Sequence, residues 1–184
     1  MEKILVIGCC GAGKTTFSKA LAAKLGLPLV HLDALFWRDN WQSASKEEFD
    51  ALLHAELVKP RWIIDGNYNR TLLWRMRHAD TVIFLDYPRL SSLCGVIGRY
   101  FKNRGRARAD VGGDCREKLD LPFLKFVWNF NKKYRKYYRD LLGGAAGADT
   151  LILKNRRQAR RFLAGEAFET ANGRGKMCIF DKKT

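Results

Sequence analysis

The sequence predicts a three-layer α/β fold built on a five-stranded parallel sheet, and three observations predict it. Short apolar runs alternate with amphipathic helical segments along most of the 184 residues. Each run is continuous rather than alternating, as expected of strands covered on both faces. A glycine-rich segment separates the first run from the first helix, where such folds bind their ligands, beyond the carboxyl ends of the strands. Regular alternation also implies right-handed crossovers, with helices on both sides of the sheet.

The elements follow in order. Residues 4–7 form the first strand, closed by Gly8, and residues 14–25 the first helix, with Phe17, Leu21 and Leu25 four apart and a stop at Gly26 and Pro28. Residues 29–32 are a second strand. Ser45 followed by Glu48 is a capping box, and Phe49, Leu52, Leu53 and Leu57 line one face of the helix that it opens. Pro60 ends that helix before a strand at 62–64. A helix over 70–78, a strand over 81–85 and a helix from Pro88 to about 101 come next, then a basic, glycine-bearing loop. In the long helix over 121–142, Phe123, Val127, Phe130, Tyr134, Tyr137 and Leu141 repeat at three and four. That spacing suits a core-facing stripe, and an aromatic base-stacking platform is the other reading. A fifth strand at 150–153 and a last helix at 156–163 complete a domain over 1–164. Residues 165–184 lose the periodicity and read as an appendage.

Composition bounds the function. At 47% hydrophobic residues the chain can bury one substantial core. Its formal charge of +15, from 34 Lys and Arg against 19 Asp and Glu, calls for an anionic partner or a strongly solvated surface. The opening residues MEKILVI run straight into the glycine motif with no leader pattern, and no apolar stretch approaches membrane-spanning length, so a cytoplasmic protein without a membrane partner is expected. The five cysteines show neither zinc spacing nor a disulfide framework and read as reduced thiols.

The segment Gly8-Cys9-Cys10-Gly11-Ala12-Gly13-Lys14-Thr15 satisfies G-x-x-x-x-G-K-[ST] between a strand and a helix, which identifies a P-loop NTPase fold. Main-chain amides of Gly8, Gly11, Ala12 and Gly13 can converge on an oxyanion at the positive end of the helix. Lys14 would bridge the outer phosphates of ATP or another nucleoside triphosphate, Thr15 would ligate Mg²⁺, and Thr16 would bond the innermost phosphate. Cys9 and Cys10 stand at variable positions of the motif and read as small fillers.

Beyond the loop, Leu29 to Asp33 and Trp62-Ile63-Ile64-Asp65-Gly66 resemble the corresponding strands of the adenylate-kinase-like and shikimate-kinase-like P-loop kinases, over about residues 3–164. Closer still, residues 32–37, Ile64-Asp65-Gly66-Asn67-Tyr68 and Arg104-Gly105-Arg106-Ala107-Arg108-Ala109-Asp110 resemble bacterial DNA topology modulation proteins. The kinase resemblance implies a lid insertion at about 102–120, whose Arg104, Arg106 and Arg108, joined by Arg99, neutralise the transferring phosphoryl group. An extended lid would point those alternating arginines to one side. Asp65, at a strand end, reads as the acidic partner of Mg²⁺ or as the cap of a turn. Asp33 reads as the group facing the acceptor or as a helix cap. His31 stands where shikimate-type kinases often carry a second acid, and Asn67-Tyr68 replaces the Phe-Pro of adenylate kinases. Arg156 is the candidate for stacking on the base.

These readings predict a Mg²⁺- and ATP-dependent kinase acting on a small-molecule acceptor such as a nucleoside, nucleotide or metabolite. The alternative is a nucleotide switch or weak NTPase that binds DNA through basic patches. An RNA end kinase lies between the two. On the long helix, Lys132 and Lys136, like Arg135 and Arg139, are like charges one turn apart, so something negative is expected to face them.

Overall fold

The structure, a computed structural model, describes residues 1–106, 110–145 and 147–179. The elements are β1 (Lys3–Gly8), α1 (Lys14–Leu25), β2 (Leu29–His31), α2 (Leu32–Phe36), β3 (Trp37–Arg38), β4 (Gln42–Ser43), α3 (Lys46–Leu57), β5 (Trp62–Asp65), α4 (Asn69–His78), β6 (Thr81–Leu85), α5 (Arg89–Asn103), α6 (Leu121–Gly143), β7 (Asp149–Leu153), α7 (Arg156–Leu163), β8 (Phe168–Glu169) and β9 (Lys176–Met177). The main sheet is parallel throughout, in the order β2-β5-β1-β6-β7, as the alternation of strand and helix predicts. No helix of the described residues is long and apolar enough to cross a membrane.

Side chains of a strand alternate across the sheet, and the two faces therefore hold separate cores. Leu5, Ile7, Ile64, Val82 and Phe84 pack on one face with Phe49, Leu53 and Leu57 of α3, Leu72 of α4 and Val127 and Phe130 of α6. Ile4, Val6, Ile63, Ile83 and Leu85 pack on the other with Phe17 and Leu21 of α1 and Phe162 of α7. Register aligns the carboxyl ends: Val6 lies beside Asp65, His31 beside Asp65, and Gly8 beside Leu85. The residues that end β1, β2 and β5 thus share one edge.

Three local features differ from the sequence reading. The core stripe of α6 runs through Val127, Phe130, Tyr138 and Leu142, while Tyr137 is 44% exposed. Fours rather than threes keep the second half of this helix on the core, and the Tyr138 hydroxyl donates to Asn69 Oδ1 at 2.5 Å. Between α2 and α3 the chain makes a small hairpin, β3 with β4, that periodicity could not reveal in two-residue strands. The segment after residue 164 also has structure: β8 pairs with β9, Met177 and Ile179 are buried against the α1/α7 core, and the Ala171 N–H donates to Thr150 O on the edge strand β7. Covering that edge protects it from pairing with other chains.

The phosphate loop meets α5 backbone to backbone. A β-carbon on Gly95 would lie 2.0 Å from Gly11 O, and one on Gly11 would lie 2.1 Å from Ser92 O. Gly11 also has φ +79, a conformation that glycine adopts freely. We expect Gly95→Ala to lower stability by about 1–3 kcal/mol through overpacking. Gly98→Ala, three residues along the same helix with nothing within 4 Å of its β-carbon position, should be neutral or stabilising by up to ~1 kcal/mol. Denaturant midpoints of the two variants check the contrast.

Candidate functional site

The phosphate loop is held from behind by its carbonyls and by two of its amides. Gly8 N–H donates to Asn67 Oδ1 at 3.0 Å, and Ala12 N–H donates to Cys9 O at 3.1 Å. Lys14 Nζ donates to Gly8 O at 2.9 Å and Cys9 O at 3.2 Å, which curls the ammonium over the loop. Gly13, at φ +86, is the N-cap of α1 and no side chain caps this helix. Its first-turn amides are therefore available to an anion, where the helix dipole also favours negative charge. Cys9 is buried, and burial pushes its thiol up to about 12, so it stays protonated, as a filler should.

Carboxylates from three segments converge near Lys14. Asp65 Oδ1 lies 2.8 Å from His31 Nδ1, while Asp65 Oδ2 is buried without a hydrogen-bond partner. Asp65 is thus not the cap of a turn. Asp33 lies in the first turn of α2, whose N-cap is His31, so it is not a helix cap either. Its Oδ1 accepts from the Tyr68 hydroxyl at 2.8 Å. Burial and the Asp33 charge both raise the Tyr68 phenol far above its ordinary value, which keeps it a permanent donor. The third acid, Asp110, arrives from the connection between α5 and α6, and its Oδ2 accepts from Thr15 Oγ1 at 3.0 Å.

The loop that follows Asp65 carries Asn67 and Tyr68, and a buried arginine grips it. Arg75 is fully buried on α4 and donates to the carbonyls of Gly66, Asn67 and Tyr68 and to Thr71 Oγ1. No carboxylate pairs with it among the described residues, and burial draws its guanidinium down to about 10. Tyr68 takes φ +33, a strained value for a residue with a β-carbon, at a cost of ~1–3 kcal/mol. Arg75 holds it there. The same loop thereby fixes the phosphate loop through Asn67 and Asp33 through Tyr68.

All of this opens on one cleft of about 950 Å³, lined among others by Lys14, Thr15, Asp33, Asp65, Asp110 and Arg156. Residues 4–86 match the family model described as ATPase family associated with various cellular activities (AAA). No curated protein sequence matches the chain. Among solved structures it is similar to shikimate kinase from Bacteroides thetaiotaomicron, at 20% identity and a TM-score of 0.53, over 88% of this chain and 93% of that one. It is also similar to shikimate kinase from Acinetobacter baumannii, solved in complex with shikimate, at 18% identity and a TM-score of 0.57, over 89% of each chain. The chain has the fold of a P-loop kinase.

Within this kinase fold the sequence-predicted residues separate. Gly11, Ala12, Gly13, Lys14, Thr15, Thr16, Asp33, Asp65, Arg99 and Arg156 all line the cleft. Gly8 supports the loop from outside it. Arg99 is paired with Glu117 at 2.6 Å, and Arg156 Nη2 reaches Ser91 O at 3.4 Å. The extended comb of lid arginines is corrected: Arg106 N–H bonds Asn103 O and Gly105 has φ +73, so residues 103–106 close a turn, and Arg104 and Arg106 are exposed away from the cleft. Arg108 lies outside the described residues. On α6, Arg135 Nε and Arg139 Nη2 both bind buried Asp86, at 2.6 and 2.5 Å. The negative group expected to face these arginines is the protein's own.

Sequence reasoning missed Arg75, Tyr68 as the partner of Asp33, and Asp110. Helical spacing was the available signal for the first: of the three arginines of α4, Arg75 falls three and four residues after Leu72 and Thr71, on the buried face. The other two depend on contacts 35 and 95 residues apart, for which no local pattern exists.

The residues present fit a magnesium nucleotide. Uncapped helix amides suit phosphate, and an unpartnered buried carboxylate oxygen in the same cleft as a threonine hydroxyl suits a hard cation. No three His, Cys, Asp or Glu side chains among the described residues could hold a metal alone, as expected for Mg²⁺ that takes most of its ligands from phosphate and water.

Arg75→Met should leave the Gly66 and Asn67 carbonyls without the donor that holds them and destabilise the protein by about 3 kcal/mol or more. Arg75→Lys should recover little of it, because a point charge cannot reproduce the planar fork. Urea denaturation followed by tryptophan fluorescence checks both.

Proposed function

We propose that the protein is a Mg²⁺- and ATP-dependent phosphotransferase acting on the hydroxyl of a small acceptor. The observation that carries this reading is the convergence of Lys14, Thr15, Asp65 and Asp33 on one cleft. First-turn amides of α1 hold the phosphates, and Lys14 leaves the carbonyls of Gly8 and Cys9 to follow the outer ones. Bound Mg²⁺ would supply positive charge against the charge that develops on the transferring phosphoryl group. Thr15 and Asp65 hold the cation side of the site, and His31 keeps Asp65 oriented.

Asp33 faces the acceptor. Tyr68 occupies one of its oxygens and leaves the other for the acceptor hydroxyl. As the hydroxyl oxygen bonds to the terminal phosphorus, the bond from phosphorus to the diphosphate leaving group breaks and the hydroxyl proton passes to Asp33. Arg99 and Arg156, which line the cleft, add positive charge around the nucleotide. The resemblance to DNA topology modulation proteins rests on segments that include Asp33, Asp65, Tyr68 and Asp110, so we read the same chemistry behind it. The two arginines of α6 that would favour DNA are held by Asp86.

Calorimetry with Mg²⁺ and each common nucleoside triphosphate should show binding that Lys14→Ala abolishes. With ATP labelled in its terminal phosphate and a panel of nucleosides, nucleotides and hydroxylated metabolites, one acceptor class should gain label. Asp33→Asn should lower that transfer by roughly 10²–10⁴-fold while nucleotide affinity stays within twofold. ATP binding with no acceptor ever labelled would sink the proposal.

A further inference from the structure

We propose that Asp110, on the connection between α5 and α6, is a working part of the cation site: it accepts the hydrogen bond of the Thr15 hydroxyl, so that cation binding and seating of this connection become one event. The inference rests on the magnesium–nucleotide reading given above.

The geometry is specific. A hydroxyl has one proton and two lone pairs, and a threonine that ligates a cation must send its proton elsewhere. Here it goes to Asp110 Oδ2 at 3.0 Å, which leaves the lone pairs for a metal. A carboxylate acceptor also increases the electron density on the hydroxyl oxygen and strengthens it as a ligand. Asp65 does not accept that hydrogen bond, since its Oδ1 meets His31 and its Oδ2 has no hydrogen-bond partner. The side chain of Asp65 is only 7% exposed and lines the same cleft as Asp110, itself 9% exposed. An ionised carboxylate oxygen buried without a partner is costly, and a cation between the two acids would offset that cost. Labour is thus divided: Asp110 polarises the hydroxyl, and Asp65 keeps an oxygen for the cation or its water.

Asp110 is also placed by its own segment. Gly112 N–H donates to Asp33 O at 3.3 Å, Asp114 N–H donates to Asp39 Oδ1 at 2.7 Å, and Cys115 Sγ lies 3.1 Å from Arg38 O. A β-carbon on Gly112 would lie 2.1 Å from Trp37 O, and one on Gly113 would lie 2.4 Å from Asp39 N. Glycines let this segment lie directly on the main chain of α2 and β3. The carboxylate that turns the Thr15 hydroxyl towards a cation therefore belongs to a segment docked on the acceptor side. Linkage requires the reciprocal effect: a cation bound at Thr15 stabilises the docked connection.

The test compares affinity for a non-hydrolysable ATP analogue in excess EDTA and in Mg²⁺, together with trypsin cleavage at the arginines of residues 104–116. Wild-type protein should bind the analogue at least tenfold more tightly with Mg²⁺, and Mg²⁺ with analogue should slow cleavage. Asp110→Asn should bind as wild type in EDTA within twofold, lose most of the Mg²⁺ enhancement, and lose the protection. Asp110→Glu, which keeps the carboxylate, should retain part of both. Asp114→Asn, which removes the same charge from an exposed site, should behave as wild type. Circular dichroism confirms that each variant is folded. Full Mg²⁺ enhancement and protection in Asp110→Asn would overturn the inference and leave the kinase reading standing. Wild-type protein that binds the analogue without any Mg²⁺ enhancement would overturn both.

Discussion

The first-turn amides of α1 are left without a side-chain cap, so the phosphate loop must be held in place by its other groups, and this constraint organises the molecule. Everything else in the loop is committed instead. The carbonyls of Gly8 and Cys9 accept from Lys14, the Gly8 amide is tied to Asn67, and Gly11 lies against the backbone of α5 at Gly95. Each tie fixes position without consuming a first-turn donor of α1. The two cores provide the rigidity, because β1 is buried on both faces and ends where the loop begins.

The same constraint explains an arginine placed where none is expected. The loop after β5 must present Asn67 to the phosphate loop and Tyr68 to Asp33, and it does so with Tyr68 in a left-handed conformation. A loop so strained persists only if surrounding structure over-determines it. Arg75 satisfies its carbonyls together, with five donors in a fixed fork. Arg75, a buried cation with no carboxylate partner among the described residues, therefore links the phosphate loop to Asp33.

Charge is the property that sequence composition represents least faithfully. An excess of 34 basic over 19 acidic residues suggests a polyanion partner, yet several of the most suggestive cations are already engaged. Arg135 and Arg139 share Asp86, and Arg99 meets Glu117. Such pairs fix side-chain orientation around the sheet edge, although Arg135 and Arg139 share a single carboxylate and stay partly exposed. Counting Lys and Arg cannot distinguish these residues from the exposed ones, because the distinction lies in contacts across the fold.

The sequence alone determined the sheet, its helices and the phosphate loop, because each rests on local physics. Continuous apolar runs mark strands buried on both faces, four-residue spacing marks helix faces, and the glycines of residues 8–13 mark a backbone that must approach a ligand closely. Ser45 shows the same legibility, since its hydroxyl accepts from the Glu48 amide at the start of α3 as a capping box requires. The tertiary structure decided what each polar group does. It turned Tyr68 to Asp33 and His31 to Asp65, brought Asp110 to Thr15, folded Arg104 and Arg106 into a turn, and seated Met177 and Ile179 in the core. Periodicity reports which side of an element faces inward, whereas a hydrogen bond between residues many positions apart depends on the crossovers that bring their strands to one edge.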